Sequence, residues 1–297
     1  MEVIMNNRTI AVIGATGSQG KSVVENLKKD ESFKIRAITR NVSKYEGLAH
    51  EVVFADLNDI ESLKAAFKDA YGVFAVTNFW ENNDEYSQGK NIVDAAKAME
   101  IKHIVWSTLP NVEKISQGEF SVPHFTGKAR VDELISKANF EHFTFVQAPF
   151  YFQNLSGMMA AQEQEDGSMG WTMPLDPTRK VIHMGDINDI GKIVLGVFQS
   201  PDKTGNGSYL SLAAGLYSFN DVINAFDNNG RQYSYNQVPT DVYSSFFEGA
   251  GELAQMFGYF EKYTYMGPES EANLKLAEEV ATDTYTSLTD WIKELKV

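Results

Sequence analysis

The sequence predicts an α/β protein: a doubly wound parallel sheet that carries a second, smaller mixed lobe. Three observations lead there. Through the first half of the chain, short apolar runs alternate with helix-like stretches, the pattern of parallel strands joined by crossover helices. A glycine-rich turn, Gly14-Ala15-Thr16-Gly17-Ser18-Gln19-Gly20, directly follows the first apolar run and opens the first helix. After Pro149 the alternation breaks, and Gly, Met, Pro and aromatic residues take over.

Taken in order, the strands are expected at 9–13, 34–39, 51–54, 72–77, 103–107 and 142–147. Helices are expected between them at 18–30, 59–70, 84–99 and 128–138. Each strand–helix–strand step is a right-handed crossover, so helices should cover both faces of the sheet. Residues 156–180 read as helix and then loop. A helix at 187–199 and a strand at 207–212 follow, and the remainder to Val297 reads as helices. These readings divide the chain into residues 1–155, a nucleotide-binding unit, and 156–297, a smaller and mostly helical lobe. The strand at 207–212 is expected to return to the first unit. At 297 residues the chain is about twice a typical single domain, which suits two coupled lobes.

Composition removes several classes. Twenty-six basic residues against forty acidic ones leave a net charge of −14, and no basic cluster is present to neutralise phosphates. Direct nucleic-acid binding is not expected. No window reaches the roughly 18 to 20 unbroken apolar residues of a membrane span. Glu2 stands where a signal peptide carries positive charge, so a cytoplasmic protein is expected, with the nucleus as a second compartment. With no cysteine, disulfides, thiolate metal sites and cysteine nucleophiles are out. The five histidines show no metal-ligand spacing, and neither a G-x-S-x-G elbow nor a G-x-x-x-x-G-K-[ST] loop occurs.

The glycine turn carries the chemistry. Its spacing is G-x-x-G-x-x-G, between a strand and a helix, as a Rossmann-type dinucleotide fingerprint requires. One glycine permits the tight turn, the next lets the backbone approach a pyrophosphate, and the third lets helix and strand pack closely. Proteins selecting NAD place Asp or Glu about 20 residues further on, against the ribose 2′-hydroxyl. Here that place is taken by Arg40, with Lys44 one helical turn beyond. A guanidinium fork and a second cation suit a 2′-phosphate, so NADP(H) is the expected cofactor. Asp56, after the third strand, can meet the adenine amino group or cap the following helix together with Asp59, and both roles stay open.

Several further segments give the chain a family resemblance: TRN at 39–41, VTNFWE at 76–81, QGK at 88–90, HFTGK at 124–128 and PFYFQN at 149–154. With the glycine turn, they make the chain resemble the NmrA-like family, atypical members of the short-chain dehydrogenase superfamily. It is most similar there to NADPH-sensing proteins and to nitrogen-repression regulators. The resemblance implies that Gly14, Thr16, Gly17, Gln19 and Gly20 wrap the pyrophosphate, with Ala15 and Ser18 in the same loop. It implies that Asp56 and Leu57 flank the adenine and that Thr77, Asn78 and Phe79 line the nicotinamide side. Lys90 and Lys128 would approach the ribose and phosphate region, and Tyr151, Phe152, Gln153 and Asn154 would close over the nicotinamide. It also implies a cofactor sensor acting on a protein partner, such as a transcription factor or signalling enzyme, with a homodimer allowed. The alternative is an NADPH-dependent reductase of quinones or other carbonyls.

Reduction in that superfamily uses a Tyr-x-x-x-Lys pair in which the tyrosine exchanges a proton with the carbonyl. At the expected place stands His124-Phe125-Thr126-Gly127-Lys128: the lysine is kept and the tyrosine is histidine. The lone Tyr-x-x-x-Lys, Tyr86 to Lys90, precedes the fifth strand and is misplaced. No catalytic residue and no metal ligand is therefore expected. In the C-terminal part, Tyr243, Phe246, Phe247, Met256, Phe257, Tyr259, Phe260, Tyr263 and Tyr265 fall at helical spacings, which fits a core face or an aromatic docking surface.

Overall fold

Strands β1 (Arg8–Val12), β2 (Phe33–Thr39), β3 (Glu51–Phe54), β4 (Gly72–Ala75), β5 (His103–Thr108) and β6 (His142–Gln147) form from the apolar runs of the first half. Both β4 and β5 are buried at every position, as strands covered on two faces must be. In the computed structural model, which describes residues 8–81 and 84–295, they join strand Asn206–Ser211 in one seven-stranded sheet. Its order is 206–211, β6, β5, β4, β1, β2, β3, and every pairing in it is parallel. The protein is an α/β fold of the doubly wound, Rossmann type.

Helices cover both faces. Helix α1 (Ser18–Leu27) packs with helices Ile190–Gln199 and Glu271–Val280 over one apolar layer that includes Val23, Leu27, Ile193 and Ala277. On the other face, helices α2 (Ile60–Phe67), α3 (Glu85–Ala98) and Pro123–Lys137 bury Leu63, Ile92 and Val131. The last of these starts five residues before the expected 128, because Pro123 fits the first helical turn, where its missing N–H is not needed.

Segments beyond residue 155 thus contribute to the main sheet. Strand Asn206–Ser211 lies beside β6, and the 190–199 helix sits so close to α1 that a Cβ at Gly191 would lie 2.2 Å from the Ser22 carbonyl oxygen. The Ser22 hydroxyl also donates to the Asn188 carbonyl at 2.6 Å.

The smaller lobe has its own core and more strand than the sequence suggests. Gly215–Tyr217, Ile182–Gly185 and Phe150–Tyr151 form one three-stranded sheet, and Ser234–Gln237, Met169–Met173 and Gln162–Glu163 form another. Residues 156–180, read as helix and then loop, therefore hold two strands. Strands of two to five residues are too short to show an alternation, and Met169–Met173 pairs through Gly170, where a Cβ would meet the Ser234 backbone at 2.3 Å. The aromatic segment is mostly core: Tyr243, Phe257, Tyr259, Phe260 and Tyr265 are buried, whereas Phe246 and Phe247 are 47% and 51% exposed. Among the described residues, no helix is long and apolar enough to cross a membrane.

Asp132, in the Pro123–Lys137 helix, is buried and accepts the Tyr209 hydroxyl at 3.0 Å. Burial pushes its carboxyl from 3.8 up to about 8, against the pull of hydrogen bonds from Thr108 and Tyr209. A raised folded-state pKa means that protonation favours the fold. This contribution is whole below the ordinary carboxyl value of 3.8 and is lost as pH rises through about 8. Asp132→Asn should therefore flatten the fall of Tm between those two pH values. Parallel Tm–pH curves for variant and wild type would contradict the assignment.

Candidate functional site

The strand order reverses between β1 and β4, so the crossovers leaving them run to opposite faces and leave a crevice at the carboxyl ends of the strands. The glycine turn crosses this crevice. Gly14 adopts φ +69°, and Gly17 N–H donates to the Gly14 carbonyl at 2.9 Å. A Cβ at Gly20 would lie 2.1 Å from that same carbonyl oxygen, so loop and helix can touch only without a side chain there. Gly17 differs: its Cβ would meet nothing nearer than 3.4 Å, and its open side belongs to the crevice. Gly17 is also the N-cap of α1 and supplies no capping side chain, which leaves the first-turn N–H groups for an anion.

The crevice is a cavity of about 930 Å³, within the size of cofactor sites. Its floor is the glycine turn. One end is formed by Thr39, Arg40, Asn41, Lys44 and Tyr45 after β2 and by Ala55, Asp56, Leu57 and Asn58 after β3. Val76, Thr77, Asn78 and Glu81 after β4 form the other wall, with Gln88 and Ile187 closing it. An extended molecule with phosphates at its middle and a further phosphate at one end fits this distribution: uncapped N–H groups in the centre, Arg40 and Lys44 at the end. The site residues fit a dinucleotide.

Of the residues singled out in the sequence, Gly14, Thr16, Gly17, Ser18, Gln19, Gly20, Arg40, Lys44, Asp56, Leu57, Thr77 and Asn78 meet in this cavity. The two roles left open for Asp56 separate here. Asp59 caps α2 by accepting from Glu61 and Ser62, while Asp56 accepts from Asn58 N–H at 2.8 Å and faces the cavity.

The remaining residues are placed elsewhere. Ala15 is fully buried behind the turn, in the layer under α1. Phe79 lines a smaller neighbouring hollow with Glu85, Thr126 and Arg130. Lys90 points from the exposed side of α3 and pairs with Asp94, one turn away on its own helix. Tyr151 is half-buried and its hydroxyl finds no partner among the described residues, while Phe152 is fully buried against Trp291 and Tyr217 and so cannot close over a ligand. Gln153 bridges the Asp186 carboxylate and the Ile187 N–H, and Asn154 sits half-buried in the same short turn. Ile187 could not be found from the sequence, because only the returning segment brings it in, whereas Gln88 stands in the QGK segment at 88–90. Glu81 stands inside the quoted VTNFWE segment, and its acidity next to a basic end was the available signal.

Lys128, His124 and Ser107 are each engaged by other parts of the protein. The buried Lys128 donates to the Thr77 carbonyl at 2.7 Å, the Thr77 hydroxyl at 3.1 Å and the Glu85 carboxylate at 2.5 Å, which uses all three of its N–H bonds. Burial pulls its ammonium below the ordinary lysine range, against the opposing pull of Glu85. The Ser107 hydroxyl donates to the Gln19 side chain at 2.7 Å. His124 Nδ1 lies 2.6 Å from the Glu252 carboxylate of the smaller lobe, and its ring is walled by Phe79 and Trp80 at 5.9 and 5.3 Å. Burial raises the Glu252 carboxyl, and the hydrogen bonds from His124 outweigh it, leaving it below the ordinary range.

Fold and crevice define a Rossmann-type protein with a dinucleotide-shaped cleft. The NmrA-like family model matches residues 6–292, and the chain belongs to that family. Among relatives, an NmrA-like family domain-containing protein of Dictyostelium discoideum is 28% identical over 272 residues, covering 86% of this chain and 88% of its own. The oxidoreductase himF of Aspergillus japonicus, from the same family, is 32% identical over 239 residues, covering 73% of this chain and 71% of its own. Among solved structures, the transcriptional regulator NmrA in complex with NADP superposes with a TM-score of 0.81 at 23% identity, covering 97% of this chain and 95% of that one. The Escherichia coli quinone oxidoreductase QOR2 with NADPH gives 0.77 at 20% identity, covering 96% and 98%. At these identities the two structures bear on the fold.

Two substitutions separate the roles of the glycines. Gly17→Val should fold with a Tm close to wild type and lose nucleotide binding, because its side chain enters the cavity. Gly20→Ala should unfold at clearly lower temperature, because its Cβ meets backbone. Thermal melts with nucleotide titrations check both, and retained binding by a folded Gly17→Val would reduce the loop to a structural turn. Lys128→Ala should destabilise the fold by about 3–5 kcal/mol, since it leaves the Glu85 carboxylate buried without its partner. A denaturant midpoint unchanged from wild type would contradict the pairing.

Proposed function

We propose that the chain binds NADP(H) in the crevice and acts as a cofactor-responsive regulator of a protein partner, with little hydride transfer of its own. One observation carries this reading: the glycine turn, Arg40, Lys44 and Asp56 line one cavity, whereas the buried Lys128 is engaged by Thr77 and Glu85 and histidine, not tyrosine, stands four residues before it. Arg40 and Lys44 would hold the 2′-phosphate, the glycine turn the pyrophosphate, and Asp56 the adenine end. When bound, the cofactor would supply a hydride donor or acceptor at its nicotinamide. A carbonyl there would still need a proton, and a working general acid is worth about 10²- to 10⁴-fold in rate.

Regulation requires that cofactor bind two states of the protein unequally, since equal affinity shifts nothing. A partner is supported by the exposed apolar trio Val242, Phe246 and Phe247 on the smaller lobe. The cytoplasm, with the nucleus as a second compartment, is the proposed location. A second reading, an NADPH-dependent reductase, is favoured by the curated relatives of this family named as oxidoreductases.

Arg40→Asp should weaken NADP(H) far more than NAD(H), because a charge-assisted phosphate contact becomes a repulsion. Calorimetric titration checks it, and equal losses for both nucleotides would remove Arg40 from the 2′-phosphate site. NADPH consumption at 340 nm over quinones and aldehydes should be slow, and His124→Ala should change any residual rate by less than about tenfold, below the general-acid range. Saturable, robust turnover abolished by His124→Ala would replace the regulator by the reductase.

A further inference from the structure

We propose that Glu81 is a tethered anion that competes with the 2′-phosphate of NADP(H) for Arg40, and so sets how strongly the chain separates NADP(H) from NAD(H). The proposal rests on the reading of the crevice as an NADP(H) site. Its basis is one contact: Arg40 Nη2 donates to Glu81 Oε2 at 2.8 Å, and both residues line the cavity. The cation at the place of a phosphate-binding arginine already holds a carboxylate.

That carboxylate is placed by its backbone as well as by attraction. Glu81 N–H donates to the Asn78 carbonyl at 3.2 Å, Trp80 N–H donates to Asn78 Oδ1 at 3.2 Å, and Asn78 Nδ2 donates to Glu81 Oε1 at 3.3 Å. The turn after β4 thus presents Glu81 across the crevice to the end of β2. Arg40 and Glu81 side chains are 66% and 56% exposed, and ion pairs this open are weakly held and separable by a stronger anion. Lys44, the other cation at this end, lies over the Tyr45 ring at 5.4 Å.

An incoming 2′-phosphate meets a cost either way. If Glu81 stays, the dianionic phosphate lies beside a like charge. If Glu81 leaves, its bonds to Arg40 and Asn78 are given up. The ribose of NAD(H) meets neither cost, because a 2′-hydroxyl can donate to the carboxylate. Glu81 therefore narrows the preference for NADP(H) that Arg40 and Lys44 would create alone. An ordinary surface ion pair without this role would act on neither nucleotide or on both alike.

The test is a calorimetric cycle with wild type, Glu81→Gln, Arg40→Gln and the double variant, each titrated with NADP⁺ and NAD⁺. Glu81→Gln should bind NADP⁺ about two- to fivefold more tightly, the scale of an exposed charge pair. Its NAD⁺ affinity should be unchanged or lower, and the NADP⁺ gain should vanish when Arg40 is glutamine. Glu81→Ala should show the same sign, which guards against an effect particular to glutamine. The proposal is overturned if Glu81→Gln leaves NADP⁺ affinity unchanged, moves both nucleotides equally, or keeps its gain without Arg40. Wild type binding neither nucleotide would instead overturn the reading of the crevice, and this inference with it.

Discussion

A parallel sheet cannot reverse its strand order without opening a gap, and the rest of this structure depends on that gap. Between β1 and β4 the crossovers part to opposite faces, and the turn leaving β1 must bend across the opening. Only glycine can stand at Gly20, pressed on the Gly14 carbonyl, and only an unbranched backbone leaves Gly17 open to the cavity. The uncapped end of α1 then faces the middle of a cleft whose basic end is supplied by β2. Affinity for a dinucleotide follows from topology first and from individual side chains second.

The buried pair of Lys128 and Glu85 fixes one wall of the cleft. A lysine that still had free N–H bonds beside a tyrosine could lower that tyrosine's pKa. Here its donors converge on Thr77 and Glu85, which tie the end of β4 to α3 and the Pro123–Lys137 helix. Lys128 thus holds the cavity wall at Thr77 in place. His124 is likewise engaged, and because Glu252 belongs to the smaller lobe, that contact joins the two lobes beside the cleft.

Local signals were legible and long-range pairings were not. The glycine spacing, the six strands of the first half and Arg40 at the end of β2 all depend on neighbours in sequence, and the structure places them as read. Lys128 was expected at the ribose, but its partner Glu85 lies 43 residues away and is met only when two helices pack. Ile187 reaches the cleft through a segment that returns from beyond the lobe boundary. The smaller sheets are not legible in the sequence because strands as short as Gln162–Glu163 carry no periodicity. Phe152 sat in a motif that resembled a ligand-closing segment, yet its ring went to the second core, where burial outweighs any contact with a ligand.

A crystal structure with NADP⁺ bound tests the central claim most directly. The account predicts the pyrophosphate over Gly17, the 2′-phosphate at Arg40, and Lys128 still donating to Thr77 and Glu85. A Lys128 swung onto the nicotinamide ribose, or a dinucleotide lying outside the crevice, would contradict it.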